Sequence, residues 1–238
     1  MVFDVIRTNI ANITADAIVL PANTGLKEGP GASAAIFEAA GRKQLTQACK
    51  KLGSCEIGNA VPTLAFNLNA KYIIHAVVPK WVDGEHGEYD LLSSAYLAAM
   101  NVADVMGCQS IALPLLASGN NGFDLELAFE IAEKSIELFE SISLKKVILV
   151  VYTDNVEAML KKKGYTILDI PNDMRKLELK AAHKAKAKEL VEEGKEIAHK
   201  FLEEQITKAL DYLKDEKNRE KVIKFGVEVA KIVFKSKK

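Results

Sequence analysis

The sequence predicts an α/β protein: a three-layer α/β/α fold with a mixed, largely parallel sheet, followed by a C-terminal α-helical extension. Three observations predict it. Short, almost wholly apolar runs alternate with helical patterns, as in sheets whose strands are buried on both faces. Two glycine-rich loops each follow one such run and open a helix. Beyond about residue 172 the apolar runs stop, and apolar residues recur only at helical spacing.

The strongest strands are Ala17-Ile-Val-Leu-Pro-Ala22, Tyr72-Ile-Ile-His-Ala-Val-Val78, Ser110-Ile-Ala-Leu-Pro-Leu115 and Lys146-Val-Ile-Leu-Val-Val-Tyr152. Residues 2–8 and 60–66 are weaker strand candidates. Helical patterns fall near 32–51, 89–106, 125–140 and 154–163. Pro79, Gly84 and Gly87 mark a turn-rich loop before the helix that carries Leu91, Leu92 and Tyr96. Pro171-Asn172-Asp173 reads as a boundary, because proline ends the strand region and Asn172 or Asp173 can cap a new helix. The division is therefore 1–171 and 172–238. In the second part Leu190, Ile197, Phe201, Ile206, Leu210 and Leu213 share a helical stripe. Residues 173–214 would make one helix of about 60 Å, and residues 222–234 a second amphipathic segment.

The bulk numbers exclude several classes. An apolar fraction of 49% fits a full globular core. Three cysteines, Cys49, Cys55 and Cys108, form neither a disulfide framework nor a zinc knuckle, and read as free thiols in a reducing compartment. Charge at Asp4 and Arg7 argues against a signal peptide, and no apolar run reaches the roughly 20 residues of a membrane span. A cytoplasmic location is expected. The formal net charge of zero hides an asymmetry: residues 1–171 hold 14 Lys/Arg against 19 Asp/Glu, and residues 172–238 hold 18 against 13. A net-acidic domain is a poor general nucleic-acid binder, so an anion would have to be held by local groups.

Two loops offer such groups. In Gly25-Leu-Lys-Glu-Gly-Pro-Gly-Ala-Ser33, Gly29 and Gly31 permit close approach to the main chain, and the following helix presents free N–H groups and a positive dipole end. Ala117-Ser-Gly-Asn-Asn-Gly-Phe123 shows the same design before the helix starting near Asp124. Loops at the carboxyl ends of neighbouring strands face one crevice in an open α/β sheet, and a diphosphate is the natural guest. Taken singly, each loop is equally well explained by ordinary turn geometry. Gly29-Pro-Gly-Ala-Ser-Ala34 also matches the dinucleotide fingerprint G-x-G-x-x-A. That reading fails, because Lys50-Lys-Leu-Gly-Ser-Cys-Glu-Ile-Gly58 is turn-like where a strand ending in an acidic residue is needed, and Glu56 sits in a poor strand context.

Four segments in order carry a resemblance: Ala17-Ile-Val-Leu-Pro-Ala-Asn23, Gly29-Pro-Gly31 leading to Ala39-Ala-Gly41, Ala70-Lys-Tyr-Ile-Ile-His75, and Pro114-Leu-Leu-Ala-Ser-Gly-Asn-Asn-Gly-Phe123. Over about residues 3–165 the chain resembles the macro domain family, which binds ADP-ribose and related metabolites. The resemblance implies a macro-type fold and a cleft for ADP-ribose or an ADP-ribosylated protein, with no cofactor, metal or specific nucleic acid. It places Asn23 on the distal ribose and Gly29, Gly31, Ala32 and Ser33 in the loop beside it. Ser118, Gly119, Asn120, Asn121 and Gly122 would wrap the diphosphate. Phe123 would pack near the ribose, and Tyr152 would stack on adenine beside Asn9 and Ile10. Core packing explains Phe123 nearly as well, and a strand-end turn is the alternative for Asn23.

Three departures follow. Asn9 stands where many relatives carry an aspartate for the adenine amino group; its oxygen still accepts, without the charge-assisted part of the bond, at a loss of about 1 kcal/mol. Relatives that hydrolyse ADP-ribosyl esters often carry an asparagine and an aspartate where this chain has Leu20 and Ser33. Leu20 is apolar, and Ser33 cannot activate water as a carboxylate does. Asp124 opens a helix where proline is common, and its charge opposes an anion unless it faces away as a cap. The resemblance thus implies a binding module first. The alternative is a hydrolase that removes ADP-ribose from protein or from O-acetyl-ADP-ribose, with Asn23 as its only candidate catalytic residue.

The remaining candidates read as structural. His75 lies inside an apolar run. His86 sits near Asp83 and Glu85 without a full metal-ligand set, and His183 and His199 fall on the solvated side of the extension. Trp81 reads as a plug under the loop after Pro79. No cysteine has an evident activator. The Lys-rich extension is expected to bury its apolar stripe on itself, on the first domain, on a second copy or partner, or on an anionic membrane.

Overall fold

The computed structural model describes residues 1–169 and the single helical position Thr207. The expected boundary at 171–173 and the two helices of the extension, Thr207 apart, lie outside the described residues. Seven strands form one sheet: β1 (Val2–Arg7), β2 (Ala17–Ala22), β3 (Ala60–Leu64), β4 (Tyr72–Val77), β5 (Ser110–Pro114), β6 (Lys146–Val151) and β7 (Ile167–Asp169). Five helices cover it: α1 (Ala32–Ala40), α2 (Arg42–Leu52), α3 (Glu88–Val105), α4 (Leu125–Glu137) and α5 (Asp154–Lys162). A 3₁₀ turn at Ile10–Asn12 follows β1. The order across the sheet is β3-β4-β2-β5-β6-β1-β7. Every neighbouring pair is parallel except β3 with β4, which makes the sheet mixed and largely parallel, as expected.

The four apolar runs become the central strands because both their faces are covered. On one face Val19, Ile74, Leu113 and Leu149 meet Leu92 and Tyr96 of α3, Phe129 of α4 and Leu160 of α5. On the other, Ile18, Leu20, Ile73 and Ile148 meet Ile36 and Phe37 of α1 and Leu45 and Cys49 of α2. Each large side chain buried this way contributes roughly 1.5–3 kcal/mol. Pro62 lacks the N–H a central strand needs, and it lies in the edge strand β3, where that lack is tolerated.

Two details differ from the sequence reading. The helical pattern at 32–51 is two helices, because Gly41 adopts φ +101 and ψ 94, values no continuous helix permits. Strand β7, at 167–169, pairs with β1 at the far edge; it is too short for periodicity to reveal. Among the described residues no helix is long and apolar enough to cross a membrane.

The topology creates one special position. Strands β2 and β5 are parallel neighbours. The chain leaving β2 enters α1 and α2 on one face, and the chain leaving β5 enters α4 on the other. Adjacent strands whose connections diverge to opposite faces leave a crevice at their carboxyl ends.

Candidate functional site

The loop leaving β2 is fixed by its own side chains. Asn23 Nδ2 donates to the Lys27 carbonyl at 2.8 Å, and Asn23 Oδ1 accepts from the Lys27 N–H at 3.1 Å. Between them Leu26, at φ +52, turns its side chain into the core and is only 2% exposed. Gly29 N donates to Ser33 Oγ at 3.0 Å, and Ser33 is buried. Gly31, at φ +67 and ψ −129, precedes α1 and provides no side-chain cap. The N–H groups of Gly31, Ala32, Ser33 and Ala34 consequently find no acceptor among the described residues.

The loop leaving β5 is held differently. Leu116 N donates to the buried Tyr96 hydroxyl at 2.7 Å, and Ser118 Oγ donates to the Leu115 carbonyl at 2.9 Å. Ala117, at φ +63, and Gly122, at φ +80, bend the chain back on itself. Gly122 N and Phe123 N bond to Gly119 O and Ala117 O within the loop. The N–H groups of Ser118, Gly119, Asn120 and Asn121 find no acceptor among the described residues. Asp124 caps α4 by accepting from Leu127 N at 3.0 Å. The two loops therefore do not share one design: the start of α1 is open, whereas the start of α4 is occupied by its own carboxylate. An anion near the second loop would meet the amides of 118–121 rather than the helix terminus.

The other expected residues take up places at the same sheet edge or behind it. Tyr152, directly after β6, is 68% exposed. Strand β1 lies beside β6, with Thr8 N donating to Val151 O at 3.0 Å, and so Asn9 follows close to Tyr152 in the fold. Asn9 Oδ1 accepts from Ala11 N at 3.0 Å and caps the 3₁₀ turn, leaving its second lone pair for another donor. Ile10 is buried in the core on the α1 face. Phe123 is buried too, edge-on to Trp81 with ring centroids 5.1 Å apart, so it stands behind its loop. Leu20 is 1% exposed and fully committed to the core.

A third loop, residues 78–87, is tied to the loop leaving β5 by pairings that sequence spacing does not reveal. Asn121 Nδ2 donates to the Pro79 carbonyl at 2.8 Å, and Trp81 N donates to the Asn121 carbonyl at 2.7 Å. Trp81 packs edge-on against Tyr89 as well, at 5.5 Å. Glu88, 2% exposed, accepts from Val82, Asp83 and Gly84 N through Oε1 and from His86 N through Oε2. Burial disfavours its charge, but these N–H groups outweigh that and hold its carboxyl down at about 2. Asp83, His86 and Glu88 are the one group among the described residues with metal-ligand spacing. Their atoms are already engaged: Glu88 by amides, and Asp83 Oδ1 by Glu85 N and His86 Nδ1, both at 2.9 Å.

His75 is fully buried, with Nε2 3.0 Å from Thr63 Oγ1 and Nδ1 without a partner. Desolvation lowers its pKa to about 4. It is a neutral core histidine, as its apolar run implied. All three cysteines are buried free thiols. Burial raises Cys49 and Cys55 to about 11 and Cys108 to about 12, which removes them as nucleophiles.

Similarity to known proteins agrees with this geometry. Residues 19–132 match the Macro domain family model. A macro domain-containing protein of Caldanaerobacter subterraneus is 39% identical over 168 residues, covering 69% of this chain and 95% of that protein. An O-acetyl-ADP-ribose deacetylase of Escherichia fergusonii is 42% identical over 139 residues, covering 57% and 78%. Among solved structures, the Oceanobacillus iheyensis macrodomain with ADP superposes with a TM-score of 0.63 at 27% identity, covering 67% of this chain and 87% of that one. The Trypanosoma brucei macrodomain in complex with ADP-ribose gives 0.60 at 25%, covering 68% of each. The chain belongs to the macro domain family.

Proposed function

We propose that the crevice between β2 and β5 binds ADP-ribose, free or attached to a protein, and that the protein reads this group. One observation carries the reading: two runs of unengaged backbone N–H groups, at 31–34 and 118–121, leave adjacent strands at the topological switch point. A diphosphate between them accepts charge-assisted bonds worth about 1.5–3 kcal/mol each. No broad positive field is required, in keeping with the acidic character of the domain. On this reading the adenine lies on exposed Tyr152 with its amino group toward Asn9, Ile10 supports the floor, and the distal ribose reaches Asn23. The relatives solved with ADP and with ADP-ribose support the choice of ligand.

The relatives named O-acetyl-ADP-ribose deacetylase favour a second reading, hydrolysis. The residues here are poorly placed for it. Ser33 is 3% exposed and its hydroxyl accepts from Gly29 N, and both functional atoms of the Asn23 amide face Lys27. The one carboxylate of this loop, Glu28, is paired with Arg42 Nε at 3.0 Å rather than free to take a proton from water, so turnover would rest on the diphosphate of the substrate itself.

Calorimetric titration with ADP-ribose, AMP and NAD, beside turnover assays on ADP-ribosylated protein and O-acetyl-ADP-ribose, separates the two. Micromolar binding of ADP-ribose without turnover is expected. Turnover that Asn23→Ala abolishes would move the assignment to the hydrolase.

A further inference from the structure

We propose that Glu88 is a positioning residue for the ligand crevice: it fixes the loop 78–87, which in turn fixes the amide-bearing loop 115–123. The consequence for binding rests on the ligand assignment above. The coupling between the two loops stands on its own.

Glu88 opens α3, and four N–H groups from residues 82, 83, 84 and 86 close on its carboxylate at 2.7–3.2 Å. A carboxylate so surrounded has little capacity left for a ligand or an ion. Its role is to supply, from inside the chain, the anion around which the loop winds. Without it these four amides would turn to solvent, and nothing would wind the loop into this shape. The winding is tight. A Cβ at Gly84, where φ is +90, would sit 2.9 Å from Trp81 Cη2.

The same ring transmits the shape. Trp81 lies edge-on between Tyr89 and Phe123, and its N–H bonds to Asn121 O, while Asn121 Nδ2 bonds back to Pro79 O. One residue of the amide-bearing loop is thus gripped through both its backbone and its side chain. Asn121 acts there as a strut, and its backbone N–H remains for a ligand phosphate. The grip matters because the loop is not self-sufficient. Ala117 holds φ +63, a region non-glycine residues seldom adopt unless their surroundings impose it. Gly122, at φ +80, would carry its Cβ 3.7 Å from Trp81 Cβ. The path therefore runs from Glu88 through the loop amides to Trp81 and Asn121, and from there to the amides of 118–121.

Trp81 is the only tryptophan of the chain, so its emission reports on this latch alone. The test compares the full-length protein with Glu88→Gln, whose amide NH₂ sets a donor against donors, and with Asn121→Ala, which cuts the strut from the other side. The measurements are Trp81 emission, hydrogen exchange by mass spectrometry, melting temperature, and calorimetry with ADP-ribose and with AMP. Glu88→Gln is expected to red-shift the emission and to speed exchange both at 82–86 and at 118–123. It should weaken ADP-ribose tenfold or more while AMP, held mainly at Tyr152, changes less than twofold. A purely structural residue would lower the melting temperature without separating the two ligands. Faster exchange at 82–86 with wild-type exchange at 118–123 would overturn the coupling. So would ADP-ribose affinity unchanged despite a shifted emission. If Glu88→Gln does not fold, Asn121→Ala must speed exchange at 79–82, and wild-type exchange there refutes the latch. Wild-type protein that binds no ADP-ribose would defeat the ligand assignment instead, and the exchange data would still decide the coupling.

Discussion

The side-chain amide of Asn23 grips the backbone of Lys27 from both sides, donating at 2.8 Å and accepting at 3.1 Å. A residue expected to meet a ribose thus also builds the loop in which it stands. Asn23→Ala removes both bonds and any sugar contact together. ADP-ribose affinity should fall at least tenfold, about 1.4 kcal/mol, while AMP affinity is retained. Calorimetry on the variant checks this, and equal loss for both ligands would place Asn23 outside the distal end of the crevice.

Gly31 and Gly119 separate backbone need from ligand space. A Cβ at either meets nothing within 4 Å, yet only Gly31 has a positive φ, at +67. Gly31→Ala should cost about 1–3 kcal/mol of stability, because φ +67 with ψ −129 is a backbone region that side chains seldom adopt. Gly119→Ala should melt as wild type but bind ADP-ribose more weakly, because its methyl enters space assigned to the ligand. Thermal melts and titrations of both variants decide the matter.

Tyr152 is 68% exposed and buries little. Tyr152→Ala should leave the melting temperature within a degree or so of wild type. It should weaken AMP and ADP-ribose alike by about 1–3 kcal/mol, the contribution of a base stacked on an aromatic ring. Unchanged AMP binding would remove Tyr152 from the base subsite.

Two buried groups both withdraw stability in acid, each in its own pH window. His75, at about 4 in the fold against 6.5 unfolded, must be neutral to stay buried. Its contribution is complete above pH 6.5 and is lost as pH falls toward 4, a change of about 3 kcal/mol. Glu88, at about 2 against 4.5, stabilises above pH 4.5, and that stability disappears as pH falls toward 2. Chemical denaturation of His75→Gln from pH 7 to 4 should show a shallower loss than wild type. Identical slopes would contradict the assignment of His75.

The legible part of this molecule was what repeats locally. Apolar runs marked the four central strands, the glycines at 29, 31, 119 and 122 marked the loops, and Asp124 showed its capping role in its position before α4. What escaped was non-local. Asn121 meets Pro79 across 42 residues, and no spacing rule connects them. Glu88 carries no distinguishing signal in the sequence, because only the fold turns its carboxylate inward to four amides. Gly41 was hidden because the apolar stripe runs through the break between α1 and α2. The unequal starts of α1 and α4 were visible in Asp124 alone, but the free amides at 31–34 required the hydrogen-bond pattern of the fold.

On the proposed function, the amides of 31–34 and 118–121 grip one diphosphate. A crystal structure of the protein with ADP-ribose tests it most directly. Diphosphate oxygens are expected about 3 Å from N–H groups of both runs, with the adenine against Tyr152. A diphosphate bound elsewhere, with either run of amides left to solvent, would contradict it.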